Sequence, residues 1–150
     1  GRVRMKISDE GIVLIKEFEG LELEAYPDPG TGGDPWTVGY GHTGTLVKPG
    51  MRITEADAED LLRADLARFE TCVDAALEVE VTQHQFDACV AFALNVGCKA
   101  FSGSTLCNLI NVGNAVAAQQ QFRRWNKAAG KEMAGLTLRR NAEADLFGSA

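Results

Sequence analysis

The sequence has no run of about 18 consecutive apolar residues, so it contains no candidate membrane-spanning helix. Histidine is scarce: only His42 and His84 are present. The four cysteines, Cys72, Cys89, Cys98 and Cys107, do not fall at zinc-ligand spacings. No metal or organic cofactor is implied. No cysteine has a histidine placed to activate it, which argues against a thiol protease. Positive charge is also in deficit, with 15 basic residues against 21 acidic ones and a net charge of −6, which argues against a nucleic-acid binder. There is no internal repeat and no low-complexity linker. The leading GRVRMK is too short and too polar for a signal peptide.

What is present suits an enzyme. The chain is 150 residues long and 45% hydrophobic, enough for one domain or for two small lobes sharing a helix. Four cysteines allow three pairings, and spacing does not choose among them. Disulfides require an oxidising compartment such as the periplasm, and at least two of the four are expected to be small buried apolar groups. From Phe101 onward the bases Arg123, Arg124, Lys127, Lys131, Arg139 and Arg140 outnumber the acids Glu132, Glu143 and Asp145. A basic C-terminal lobe would suit an anionic polymer, with an ordinary solvated helix surface as the alternative.

The chemistry concentrates between Glu17 and Thr43, in EFEGLELEAYPDPGTGGDPWTVGYGHT. Ser8-Asp9-Glu10 reads as a helix start, Ile12, Ile15 and Phe18 as its apolar stripe, and Gly20 as its stop. Glu19 then sits at a helix end beside apolar side chains, where desolvation favours the neutral form of a carboxyl. Asp28 lies in a Pro/Gly-rich loop open to water, which suits a carboxylate that stays ionised. Thr37 opens the strand-like WTVGYGH segment, where alternation sends Trp36 and Thr37 to opposite faces. One drier and one wetter carboxyl are what glycosidic cleavage requires, the first to protonate the leaving oxygen and the second to activate water or steady the cationic centre. The competing reading is a solvated acidic rim shared with Glu17, Glu22, Glu24 and Asp34. His42 is expected to be structural rather than a base.

Beyond this segment, Leu21–Val47 reads as a small antiparallel sheet with turns at DPGTGGDP and near Thr43-Gly44. Thr54 with Asp57 opens a long helix with Leu61, Leu62, Leu66, Phe69 and Val73 as its stripe and a solvated acidic outer face. Thr82 and Gln85 form a capping-box pattern before an apolar helix that Gly97 ends. Short helices around 104–111 and 114–125 follow, then a last one over about 137–147. Phe122 and Trp125 are expected in the core.

The stretch Glu19-Gly20, Tyr26, Asp28, Thr37 and Gly39-Tyr40-Gly41-His42 resembles the active-site segment of phage-type lysozymes, the endolysins of glycoside hydrolase family 24. The gap from Asp28 to Thr37 is longer than in many members, as an insertion in the GTGGDP loop would make it; Thr31 is the competing hydroxyl but lacks the following Gly-Tyr-Gly-His. Residues 82–111 are similar to the family's helical lobe and residues 122–147 to its C-terminal end.

The resemblance implies a mainly helical α+β fold: a small sheet-bearing lobe over about 8–55, a connecting helix over about 55–78 and a helical lobe over about 80–150. It implies a peptidoglycan hydrolase, a muramidase cutting between N-acetylmuramic acid and N-acetylglucosamine for host lysis. Glu19 would be the general acid, Asp28 would act on water or on the cationic centre, and Thr37 would hold that water. Asn95 falls where a cleft amide contacts substrate, with a helix C-terminal cap as the alternative reading; Arg124 and Asn126, flanking Trp125, are candidate cleft residues. The alternatives in activity are a lytic transglycosylase using Glu19 alone and a non-catalytic peptidoglycan-binding module. The expected partner is bacterial peptidoglycan, met by a monomer that passes from host cytoplasm to periplasm either through a holin pore or by way of an N-terminal signal-anchor segment, none being visible in this chain.

Overall fold

The computed structural model describes residues 4–150. It is mainly helical with a small antiparallel sheet, an α+β architecture. The described residues separate into two compact units, residues 15–67 and residues 4–14 with 68–150. The division falls inside the first and second helices.

Helix α1 runs Asp9–Glu19 and α2 runs Glu55–Ala76. Ser8 caps α1: its Oγ accepts the Gly11 N–H at 3.5 Å and its carbonyl accepts that of Ile12 at 3.1 Å. Gly20 ends the helix with φ +70°, a conformation that glycine adopts without cost. At the start of α2, Thr54 Oγ1 accepts the Asp57 N–H and Asp57 Oδ2 accepts the Thr54 N–H, both at 3.1 Å, which satisfies two otherwise orphaned donors.

Within residues 15–67, β1 (Glu22–Tyr26), β2 (Thr37–Gly39) and β3 (His42–Thr43) form a three-stranded antiparallel sheet in that order. Ala25, Val38 and Val47 form its buried core, with Trp36, Met51, Ile53 and Leu61 packed against them. WTVGYGH is therefore not one strand. The chain reverses at Tyr40-Gly41, because Gly39 and Gly41 hold φ of +69° and +80° and so permit a tight hairpin. The turn expected near Thr43-Gly44 is present as well, closed by the Val47 N–H donating to Gly44 O at 3.1 Å.

The other unit centres on α3 (Gln83–Val96), whose residues Phe86–Ala93 are all buried. Its start is the expected capping box of Thr82 and Gln85, and Gly97 caps its end. Around it lie α4 (Cys98–Ser102), α5 (Thr105–Asn111), α6 (Ala115–Gln121) and α7 (Ala134–Gly148), with a 3-10 turn at Phe122–Arg124. Phe92 meets Phe101, Phe122 and Trp125 edge-on at 6.3, 5.4 and 5.2 Å between ring centres. Phe122 is fully buried, whereas Trp125 keeps part of its surface exposed. Sequence periodicity did not show α4 or the hairpin of β4 (Lys127–Ala128) and β5 (Lys131–Glu132), and it started α7 three residues late. Elements this short carry too few residues for a period to emerge. Cys72 and Cys98 are joined in a disulfide, while Cys89 and Cys107 are buried thiols whose pKa burial pushes up.

Charge does not follow the outward distribution expected of it. Arg139 and Arg140 are buried in α7 at 6% and 0% exposure, so two of the six bases counted toward a basic surface are core residues. Both pair with the fully buried Glu143. Likewise Glu70 of α2 is buried, and it accepts the Ile7 N–H at 2.7 Å. A buried carboxylate needs such donors, and the segment preceding α1 supplies them.

Candidate active site

Glu19, Asp28 and Thr37 all belong to the unit of residues 15–67, on three elements that adjoin one another in the chain. Glu19 is the last residue of α1 and is half-buried. Its carboxylate lies against the β2–β3 turn: a Cβ built on Gly41 would stand 3.4 Å from Glu19 Oε2. Gly41 thus serves the turn with its positive φ and leaves room for the carboxylate beside it.

Asp28 follows β1 by two residues and opens a loop closed by its own hydrogen bonds. Asp28 Oδ1 accepts the Gly30 N–H at 2.6 Å and that of Thr31 at 3.3 Å. The Asp28 N–H donates to Gly33 O, and Asp28 O accepts from Gly32. One carboxylate oxygen is therefore spent on the loop, which fixes the side chain and leaves Oδ2 outside those loop bonds. Thr31, the rival hydroxyl, is committed to the same loop: Oγ1 donates to Asp34 O at 2.6 Å and accepts the Gly33 N–H at 3.1 Å.

Thr37 opens β2 in register with Tyr26 of β1 and Thr43 of β3, so the three share one cross-strand row. The sheet thereby brings the segment leading into Asp28 beside Thr37, and the β2–β3 turn beside Glu19. Trp36 packs on the core side, as alternation requires. His42 Nδ1 lies 2.8 Å from Asp65 Oδ2, which ties β3 to α2. Lys16, one turn before Glu19, ion-pairs with Glu59 and lies 5.5 Å from the Tyr40 ring centre. The bond to Glu59 raises the Lys16 pKa and lowers that of Glu59.

Asn95, Arg124 and Asn126 belong to the other unit. Asn95 lies inside the last turn of α3 and is not its cap, a place taken by Gly97. Arg140 Nη2 donates to Asn95 Oδ1 at 2.9 Å. A guanidinium only donates, so this bond fixes the amide with its NH2 turned away from Arg140. Asn126 Nδ2 donates to Thr137 Oγ1 at 3.1 Å, and Arg124 is exposed at the end of the 3-10 turn.

The phage lysozyme family profile matches residues 16–143, a span that contains all six of these side chains. The chain belongs to the phage lysozyme family. Similarity to individual members of this lysozyme family runs nearly end to end. The chain is 50% identical over 145 residues to the endolysin of Bacillus phage PZA, covering 97% of this chain and 56% of that protein. It is 40% identical over 147 residues to the endolysin of Salmonella phage P22, covering 95% and 98%. A crystal structure of a point mutant of P22 lysozyme superposes with a TM-score of 0.88 at 37% identity, covering 97% and 99%. The chain spans about half the length of the two Bacillus phage endolysins it matches, 56% and 54%.

Among the described residues no helix is long and apolar enough to cross a membrane, and no cluster of acidic, histidine or cysteine side chains could hold a metal. The buried Arg140–Glu143 pair behind Asn95 escaped the sequence reading. Its signal was present in the i, i+3 spacing of opposite charges within an otherwise apolar helix face.

Proposed function

We propose that this lysozyme-family chain is a muramidase that cleaves the β-1,4 bond between N-acetylmuramic acid and N-acetylglucosamine in peptidoglycan and so lyses the host. The observation that carries the reading is that Glu19, Asp28 and Thr37 belong to successive segments of one compact unit, inside the stretch that matches the family. The endolysin relatives named above support the substrate class.

In the proposed reaction Glu19 protonates the glycosidic oxygen as the bond to the anomeric carbon breaks. Asp28 takes a proton from a water that attacks that carbon from the opposite face, and Thr37 orients the water. The outcome is inversion, which calls for carboxyls about 6.5–9.5 Å apart. The tether of Asp28 Oδ1 to the loop leaves Oδ2 for the water. Asn95, Arg124 and Asn126 are proposed to contact substrate; Asn95 would do so through the NH2 that Arg140 orients. The proposed setting is a monomer that reaches periplasmic peptidoglycan from host cytoplasm through a holin pore.

The test is mass spectrometry of fragments released from purified Gram-negative peptidoglycan, with NMR of the newly formed anomeric centre. Fragments ending in reducing N-acetylmuramic acid, born with the α configuration, fit the proposal. Anhydro-muramic ends would mean that the sugar's own hydroxyl attacks and that Asp28 has no catalytic part. A fully active Glu19→Gln protein would sink the mechanism.

A further inference from the structure

A cavity of about 570 Å³ opens in the unit of residues 15–67. Trp36 and Val47 form its apolar floor, and Asp34, Thr43, Thr45 and Lys48 stand around it. Its volume lies within the range of about 300–1,000 Å³ typical of ligand sites. The cavity adjoins the candidate catalytic row at Thr43, while alternation puts Trp36 and Thr37 on opposite faces of the sheet. Trp36 directly precedes Thr37, and Thr43 is the cross-strand partner of Thr37.

The lining is that of a carbohydrate site. Trp36 packs on the Ala25–Val38–Val47 core yet is not fully buried, and it lines the cavity. A rigid aromatic face of this kind suits the C–H face of a pyranose. The Asp34 carboxylate and the Lys48 ammonium have no side-chain partner among the described residues, so one acceptor and one donor remain for sugar hydroxyls or an acetamido group. Their charges cancel. A lone lysine opposed by a carboxylate is poorly suited to a phosphate or another polyanion and well suited to a neutral sugar.

We propose that this cavity is a secondary glycan subsite, in which an N-acetylhexosamine ring of the same strand stacks on Trp36 away from the bond being cut. The proposal rests on the glycan-cleaving reading above and adds a place where the strand is held during cleavage.

The test titrates chitotetraose into the isotope-labelled full chain carrying Glu19→Gln and follows backbone amide shifts. Amides of Thr43, Thr45 and Lys48 are expected to move. Lys48→Ala and Thr45→Val, both at exposed positions, are expected to weaken binding by about fivefold each, the size of one lost hydrogen bond. In the Glu19-containing protein the same changes are expected to lower kcat/KM on long glycan strands more than on a tetrasaccharide. The subsite is overturned if chitotetraose moves only amides near Glu19, Asp28 and Thr37, if it does not bind at all, or if both variants bind like their parent. Binding at Thr43–Lys48 together with a Glu19-containing protein that releases no peptidoglycan fragment would instead reject the muramidase reading and leave the subsite standing.

Discussion

Gly41 makes room for Glu19: a side chain there would touch the carboxylate at 3.4 Å from Oε2, in a backbone held at φ +80°. Gly41→Ala therefore has two effects. The positive φ costs a non-glycine residue about 1 kcal/mol or more, and the new methyl stands in van der Waals contact with the proposed proton donor and takes water from it. The expected outcome is a lower urea midpoint together with a fall in turnover larger than the stability loss explains. Gly50, with φ +84° and no neighbour within reach of a Cβ, provides the comparison. Gly50→Ala should lower the midpoint comparably and leave turnover alone. Equal turnover in the two variants would separate Gly41 from the chemistry.

Thr31 holds the loop that holds Asp28. Its N–H donates to Asp28 Oδ1, and its hydroxyl bridges Asp34 O and the Gly33 N–H. Thr31→Val keeps the shape and removes both hydroxyl bonds. In an exposed loop the stability cost should be about 1 kcal/mol or less, while a freed Asp28 lowers kcat on peptidoglycan by roughly tenfold. Thr31→Ser restores the hydroxyl and should restore the rate. A Thr31→Val protein with unchanged kcat would show that the loop's rigidity does not matter to the reaction.

The difference between Thr31 and Thr37 was legible in sequence only through the Gly-Tyr-Gly-His that follows Thr37. Their hydrogen bonds give the physical reason, because one hydroxyl closes a loop and the other stands in a cross-strand row. Helices long enough to show a period, α1, α2 and α3, were legible together with their caps, since Ser8, Thr54 and Thr82 act within three residues of sequence. The hairpin inside WTVGYGH was not, because alternation in side-chain type persists through a turn that glycines make possible. The burial of Arg139 and Arg140 was hidden for a related reason. Composition counts charges, but a pairing partner at i+3 or i+4 decides whether they can leave water.

Gly11 marks a close approach that no sequence feature announces. A Cβ there would come within 2.6 Å of Ile7 Cγ1 and 2.9 Å of Asp87 Cβ. Asp87 is fully buried and cannot retreat freely, since Ser8 N–H and Gln83 Nε2 donate to its Oδ1 at 2.9 and 2.8 Å and the Ser8 hydroxyl donates to Oδ2. Gly11→Ala should destabilise the protein by about 1–3 kcal/mol through overpacking, despite alanine's better helix propensity. Denaturant unfolding measures it, and a stabilised variant would mean that the segment before α1 yields without cost.

Glu143 gives the protein an unusual dependence of stability on pH. Burial raises its pKa from 4.5 to about 7, against the opposing pull of the Arg140 and Arg139 guanidiniums. In the unfolded chain the group titrates near its ordinary value. Between 4.5 and about 7 the folded state therefore holds a proton that the unfolded state has released. Stability must fall as pH rises through that window and level off above it. Glu59 acts in a different range: Lys16 lowers its pKa, so its contribution is present above 4.5 and lost only as pH falls further. The two effects thus separate along the pH axis. Urea midpoints of the wild-type chain are expected to decline across the Glu143 window. Glu143→Gln should start lower, because Arg140 Nε loses the carboxylate oxygen 2.8 Å away, and should lack the part of the decline due to Glu143. A wild-type midpoint that rises across the window, with the same slope in Glu143→Gln, would mean that the two guanidiniums overcome burial and keep Glu143 ionised in the fold.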